Sequence, residues 1–487
     1  MNRDRRTSAP AIAIGILGTA TALLFAAFAP GLIDDDAYIF LRYAEHLANG
    51  DGLAFNAGEP SAGVTSILWV LLLAAGRRLT GVDTLIVAQI LGALCFGAAL
   101  AVITTACASH SDSQPAARVA TLIVATSPVF ICQVISGMEV ALNMLLVAVA
   151  ASATSALATG LAYATRPDNL ALVPLVVASH PRARRRFAVL VLLSVIACGA
   201  PWMLYCYRTC GSLLPPTRVG KLLVFLPGWY GITADQFAAL SIGGRLALAA
   251  RALVRVAALF TEGQARVLLP WLALAPFGIA KVDRPARTVS LLFLLSAIAY
   301  ALFFPLIKLR YFVHLLPWLV PIGVKGLARV VPSRRQRALF GVVIGLHLAV
   351  CARALPRYRD WVACEGTKTL AGQWLAAHLA PDARLALEPI GAIGLRSGRY
   401  IVDLGGLISR DVWPVIRNGP AFDAAEMLDF LRVRRVDYLI DQVDGPWAGR
   451  LLRAIPDSLR LDATIPGPTG CGVIGVYAVA RANHEPK

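Results

Sequence analysis

Apolar runs of near membrane-spanning length alternate with short basic stretches along the first 355 residues. The first run, Ala11 to Pro30, follows the basic segment MNRDRR and holds about 20 residues. At 1.5 Å per residue, such a helix crosses a bilayer core of about 30 Å. A secretory leader would have a shorter apolar stretch and a small-residue cleavage site, so this run predicts an uncleaved helix. Further crossings are predicted over residues 84–108, 118–135, 187–207, 267–280, 288–306, 312–328 and 339–355. The stretch from Val140 to Val177 is apolar but broken by ATRPDN. It predicts a short pair followed by one more crossing, for about 11 spans in all.

Basic loops stay in the cytoplasm. MNRDRR then places residues 31–83 outside as a first outer loop, and SHSDSQPAAR, HPRARRRF, AKVDRPAR and VPSRRQR fall inside. Two segments of the outer loop predict helices lying on the membrane surface. One is AYIFLRYAEHLANG, with Ile39, Tyr43 and Leu47 on one face; the other is TSILWVLLLAAGRRL, too short to cross comfortably. A second long outer loop, 208–265, holds GGRLALAARALVRVAALF, whose Arg245, Arg251 and Arg255 disfavour a span. From residue 356 to 487 the pattern changes. TLAGQWLAAHLA has helical spacing, whereas ARLALEP, RYIVDL, VDYLIDQ and GVIGVYAV read as short strands between turns. The expected architecture is a polytopic α-helical membrane domain, 1–355, followed by a soluble, outward-facing α/β domain, 356–487.

Composition agrees: 57% of residues are hydrophobic and only 15% charged, with a mean hydropathy of +0.66. Soluble domains carry nearer a quarter charged residues. The net charge of +17 follows from cytoplasmic Lys and Arg, with anionic lipid or phosphate able to use the remainder, and no nucleic-acid motif accompanies it. Cys95, Cys107, Cys132 and Cys198 lie in apolar runs and read as packing residues, and no cysteine or histidine spacing marks a metal site. If the last region lies outside the cytoplasm, Cys364 and Cys471 can pair as a disulfide.

The candidate chemistry is a set of charges at predicted outer helix ends. Asp34, Asp35 and Asp36 follow the first span directly. Neighbouring carboxylates push some pKa values upward, which suits a general base. Glu139, in SGMEV, is a second acid at an outer end; its bland reading is a helix N-terminal acid favoured by the dipole. Arg166 and Asp168, in TRPDN, interrupt an apolar stretch, where ionisable residues are functional candidates. An arginine there can hold a phosphate bidentately. Lys308, Arg310, Tyr311 and His314, in IKLRYFVH, read either as a snorkelling belt or as a second phosphate clamp. Lys221, in GSLLPPTRVGK, can add to that clamp. Acids beside phosphate-binding cations, on one side of one topology, suggest transfer from a phosphate-bearing, membrane-borne donor.

The stretch IDDDAYIFLRYAEHLANGDGLAFNAGEPSAGVTSILW resembles the first outer loop of the GT-C glycosyltransferases, nearest the mycobacterial terminal β-(1→2) arabinofuranosyltransferase branch. The resemblance continues in order through SGMEVAL, LAYATRPDNLAL, YRTCGSLLPPTRVGKL, LRYFVHLLPWL and GAIGLRSGRYIVDLGGL. It implies a membrane glycosyltransferase using a polyprenyl-phosphate sugar, without a metal in many members. The family's acidic motif maps onto Asp35 and Asp36, the first being the expected base, and Asp34 is an extra acid. The family Glu maps onto Glu139 and the Arg onto Arg166. Ala62 stands where many relatives have an acid, and Pro216 where relatives often have Asn.

The expectation is therefore an inverting transferase of arabinofuranose or a similar monosaccharide, working without a cofactor at the outer face of a bacterial inner membrane. Asp35 and Asp36 are assigned to catalysis. Arg166, Lys308, Arg310, His314 and Lys221 are assigned to the donor phosphate, and Asp34, Glu139, Asp168 and Tyr311 to the pocket or acceptor. The partners are the lipid-linked sugar, a cell-envelope glycan acceptor and the bilayer, with the chain acting as a monomer. A carrier or flippase for a lipid-linked sugar is the alternative. It would more often show charges deep in several spans or an internal two-fold repeat.

Overall fold

The computed structural model describes residues 2–29, 34–108, 114–180, 184–261, 267–278, 282–330, 333–408, 410–469 and 471–481. Parts of the expected inner loops, namely 109–113, 181–183, 279–281 and 331–332, lie outside the described residues, as do residues 31–33 of the first outer loop.

Helix α1 (Asn2–Phe28) leads to α2 (Asp35–Asn49), the small hairpin β1 (Ala54–Asn56) and β2 (Glu59–Pro60), and then α3 (Ile67–Thr80) and α4 (Thr84–Cys107). Asp34 and Asp83 cap α2 and α4 through their side chains, and Gly50, left-handed at φ 94°, ends α2. Next come α5 (Gln114–Thr126) and α6 (Pro128–Ile135), bent by 55° where Pro128 cannot continue the preceding helix. Three short helices follow: α7 (Val140–Ala153), α8 (Ala156–Thr165) and α9 (Leu172–Ser179). Then come α10 (Arg184–Cys210), α11 (Thr217–Tyr230), α12 (Ala234–Ala239) and α13 (Ile242–Thr261). The series closes with α14 (Leu269–Gly278), α15 (Arg284–Phe303), α16 (Leu316–Val330) and α17 (Ser333–His378).

Among the described residues, five helices are long and apolar enough to cross a membrane: Ala9–Phe28, Thr84–Cys107, Arg184–Cys210, Arg284–Phe303 and Arg334–Ala354. The bent α5–α6 pair makes a sixth. Each predicted crossing overlaps one or more helices among the described residues, but α7, α8, α9, α14 and α16 are each shorter than a full span. The chain is a multi-pass membrane protein. Where α1 meets α4, two glycines bring the backbones together. A methyl added at Gly15 would lie 2.7 Å from the Gly97 carbonyl oxygen. Without a hydrophobic drive between helices in lipid, such close contact supplies the packing.

Beyond α17 the chain folds as a sheet with helices. In order, the elements are β3 (Arg384–Leu387), α18 (Gly391–Ser397), β4 (Tyr400–Asp403), α19 (Ala424–Val433), β5 (Tyr438–Gln442), α20 (Pro446–Ala454), β6 (Leu459–Pro466) and β7 (Val473–Val479). The sheet order is β4-β3-β5-β7-β6. Strands β4, β3 and β5 are parallel; β7 pairs antiparallel with β5 and β6. The chain leaves β3 for β4 on one side and returns to β5 on the other, so β3 is a switch point. In parallel sheets of this kind, the carboxyl ends of the strands at a switch point form a natural crevice. Cys364 of α17 and Cys471, just before β7, are disulfide-bonded, with Cα atoms 4.8 Å apart.

The C-terminal domain sits on α2. Residues Ala37 to Ala44 of α2 are all buried. The surface placement expected for this helix from its charged positions misses why it is covered: Arg42 is 5% exposed and fully used. Its Nε donates to the Phe55 carbonyl (2.6 Å) and its terminal nitrogens to the carbonyls of Arg399 (2.8 Å) and Gly394. The guanidinium also stacks on the Phe55 ring at 4.5 Å. Asn56 extends the seam along the edge of β4, donating to the Ile401 carbonyl (2.9 Å) and accepting from the Ile401 amide (3.0 Å).

Candidate active site

Successive residues in a helix turn by about 100°, so Asp34, Asp35 and Asp36 face three ways. Asp34, at the N-cap, accepts from the Asp36 amide at 3.1 Å and takes the Arg310 guanidinium on both carboxylate oxygens at 2.9 Å. Asp35 points into the C-terminal domain. Its two oxygens accept the amides of Gly391 and Ala392, both at 3.0 Å, and so cap α18. Only glycine fits there, because a side chain at Gly391 would collide with the Asp35 backbone. Burial raises the Asp35 pKa to about 6, against the opposing pull of Lys368 and the Ala392 amide.

Asp36 points elsewhere. Its Oδ2 accepts from Lys221 at 2.9 Å and also from Arg310. Its Oδ1 has no hydrogen-bond partner among the described residues. Burial alone would raise its pKa; Arg310, Lys221 and Lys308 overcome this and hold it well below the ordinary carboxylate value.

A second knot of charge surrounds Arg166, at the break between α8 and α9. It donates to Glu139 (3.0 Å), Asp168 (3.2 Å) and the Tyr300 hydroxyl (3.0 Å), and Tyr300 donates on to Asp168 at 2.8 Å. Tyr311 stacks on Tyr300 with centroids 5.0 Å apart, and Arg166 and Arg310 lie over its ring at 5.4 and 5.7 Å. Glu139 is 1% exposed, and its Oε2 has no hydrogen-bond partner among the described residues.

Two cavities meet at Asp36, Lys221, Ile39 and Leu407. One, of about 250 Å³, is walled largely by apolar groups, among them Phe40, Met138, Pro167, Leu214 and Phe304. It holds four cations, Arg166, Arg218, Lys221 and Arg310, against the carboxylates Asp36, Glu139 and Asp168. The other, of about 330 Å³, lies under the C-terminal domain. It holds five carboxylates, Asp34, Asp35, Asp36, Glu365 and Glu388, against Lys221, Lys308 and Lys368. One cavity therefore suits an anion attached to apolar material, and the other suits a polar, uncharged group. Asp36 faces both.

The structure gathers Asp34, Asp36, Lys221, Arg310, Tyr311, Glu139, Arg166 and Asp168 around these cavities. Asp35 and Lys308 line only the cavity under the C-terminal domain, and Lys308 lies over the Phe225 ring at 5.6 Å. His314 is buried nearby but lines neither. Sequence reasoning missed Glu388, Glu365 and Lys368, of which the last two form an ion pair at 2.8 Å. A usable signal did exist: Glu388 stands near the end of ARLALEP, the run read as a strand. Asp403, at the end of β4, accepts the amides of Gly405 (2.8 Å), Leu407 and Ile408 (2.9 Å), and so fixes the loop that brings Leu407 between the cavities. Among the described residues, no group of three or more His, Cys, Asp or Glu is arranged to hold a metal ion.

A family model described as a domain of unknown function (DUF8728) matches residues 358–480. No curated protein matches the chain. Among solved structures, ArnT from Cupriavidus metallidurans bound to undecaprenyl phosphate is similar, with a TM-score of 0.58. Identity is 13%, over 96% of this chain and 98% of that one. ArnT in the apo state matches with a TM-score of 0.48 at 14% identity, over 96% of this chain and 98% of that one. The mycobacterial arabinofuranosyltransferase AftD matches with a TM-score of 0.46 at 15% identity, over 97% of this chain and 40% of that one. Likeness at such identity is likeness of fold: the chain has a polytopic helical fold like that of ArnT, with a C-terminal α/β region. It does not select a branch or a sugar.

Proposed function

We propose that the protein is a glycosyltransferase that moves a monosaccharide, arabinofuranose or a similar sugar, from a polyprenyl-phosphate donor to a cell-envelope glycan or glycoconjugate. The carrying observation is Asp36, with one free carboxylate oxygen, where a cationic, apolar-walled cavity meets an acidic one. The likeness to ArnT, solved with undecaprenyl phosphate, supports a lipid phosphate in the first cavity. The disulfide between Cys364 and Cys471 supports an oxidising compartment, and hence a site on the outer face of the inner membrane.

In this reading the sugar phosphate enters the cationic cavity while its lipid tail stays in the bilayer. Lys221 and Arg310 take the phosphate, and the unpartnered Oε2 of Glu139 accepts a sugar hydroxyl. The acceptor enters from the acidic cavity. Its hydroxyl oxygen bonds to the anomeric carbon as the bond from that carbon to the phosphate oxygen breaks, inverting the centre. The hydroxyl proton passes to Asp36 Oδ1, and polyprenyl phosphate departs with the electron pair. The leaving group is already a phosphate, so cations replace a general acid; fixed charges at a developing anion are a large catalytic contribution.

The Arg310 and Lys221 contacts also govern the base. Unliganded, they keep Asp36 a weak one. Donor phosphate draws the same cations away, and the proton affinity of Asp36 rises when the donor is present. Asp35, which the family pattern favoured, has both oxygens committed to α18 and serves to dock the C-terminal domain.

The test is transfer by the purified, reconstituted protein from radiolabelled polyprenyl-phosphate arabinose or mannose to candidate glycans. Asp36→Asn should lower kcat by roughly 10²–10⁴-fold and retain donor binding. Asp35→Asn should keep transfer within about tenfold of wild type. Normal turnover by Asp36→Asn would remove Asp36 as base. Movement of donor across the bilayer without product would favour the carrier.

A further inference from the structure

We propose that the C-terminal domain supplies the acceptor site, in which Glu388 binds the hydroxyls of a neutral sugar and excludes acidic ones. This rests on the transferase reading above and names the acceptor class for the same site.

Three independent features place the site. The first is topological. Glu388 follows the last residue of β3, the strand at which the parallel sheet switches direction. Side chains at the carboxyl end of such a strand face a crevice that the fold itself leaves open. Here that crevice includes Asp36 in its lining.

The second is the state of the carboxylate. Every other acid of this cavity has at least one partner: Asp34 has Arg310, Asp35 two amides, Asp36 Lys221 and Arg310 on one oxygen, and Glu365 Lys368. Glu388 makes no hydrogen bond or ion pair to any described residue, although it lines the cavity. Burial, and then the charges of Asp35, Asp403 and Asp36, raise its pKa to about 7, with Lys368 pulling the other way. A group so placed gains from a ligand that donates hydrogen bonds to it.

The third is charge. Five carboxylates against three lysines repel an anion and leave acceptor oxygens to spare, so a hydroxyl-rich, uncharged ligand fits and a uronate does not. The neighbouring cavity has the opposite balance, which keeps the donor phosphate from binding in the acceptor's place.

The experiment measures binding to the full-length protein in nanodiscs, without relying on turnover. The probes are four neutral methyl glycosides (arabinofuranoside, mannoside, glucoside and galactoside), the methyl glycosides of glucuronic and galacturonic acid, and farnesyl phosphate. Wild type should bind at least one neutral glycoside and neither uronide. Glu388→Gln should weaken glycoside binding at least tenfold, Glu388→Asp should recover part of it, and both should bind farnesyl phosphate within twofold of wild type, which also reports an intact fold. Equal glycoside binding by Glu388→Gln and wild type, equal binding of uronides, or no glycoside binding by wild type would overturn the proposal. Glycoside binding through Glu388 without farnesyl phosphate binding would keep this site and remove the donor half of the transferase reading.

Discussion

Replacing Arg42 by lysine isolates what holds the C-terminal domain over the site. The substitution keeps a cationic side chain at the position. What changes is reach. The guanidinium spans three carbonyls, those of Phe55, Gly394 and Arg399, from two different parts of the chain, and stacks on Phe55. A lysine ammonium is a point charge on a single stem and meets one of them. Two charge-assisted hydrogen bonds are then lost at about 1.5–3 kcal/mol each, which gives about 3–5 kcal/mol after partial relaxation. The two ends of α18 and the edge of β4 carry the loss. Amide hydrogen exchange there should quicken by roughly 10²–10⁴-fold, since about 1.4 kcal/mol is a factor of ten. Exchange in the α1–α4 packing should not change. If exchange at α18 and β4 stays within tenfold of wild type, the docking seam is not held by Arg42.

Two further outcomes follow from contacts already described. Arg166→Lys keeps charge opposite Glu139 and Asp168 but loses the fork to Glu139, Asp168 and Tyr300, so thermal stability should fall and, in the proposed reaction, the donor KM should rise about 10–100-fold; an unchanged donor KM in the transfer assay would remove Arg166 from donor binding. Removing the disulfide with Cys364→Ser and Cys471→Ser opens a loop of 107 residues, which in the chain-entropy model costs about 4–5 kcal/mol. Thermal unfolding of the purified protein should shift down by several degrees, and no shift would mean that the bond adds nothing to stability.

Much of the membrane part was legible because hydropathy reports directly on where a helix can lie. The same pattern could not say which runs reach full length, because α7, α8 and α9 are shortened by turns that sequence marks only with Pro167 and the pair Thr154-Ser155. Four of the five C-terminal strands were read from β-like runs. Strand β6 was missed because it is an edge, with only Leu459 and Ile465 buried. In the site, the charges announced themselves by sitting among apolar residues. Their division of labour did not. Asp35 and Asp36 differ by one position, and only the arrival of α18, 356 residues away, tells a cap from a candidate base. Arg42 looked like a surface residue for the same reason: its partners Gly394 and Arg399 lie more than 350 residues on. Local pattern carries secondary structure and depth; long-range backbone partners decide roles.

The pairing of Arg310 and Lys221 with Asp34 and Asp36 has a consequence for selectivity. A bare cluster of cations would be filled by any phosphate in the surrounding water. Here each free anion must first compete with two carboxylates tethered in place. A donor anchored in the bilayer returns to the same spot again and again, and so competes at a high effective concentration that a dissolved ion never reaches. In the transferase reading proposed above, the built-in rivals act as a filter: they make soluble phosphate a poor inhibitor while leaving a lipid-borne donor able to displace them.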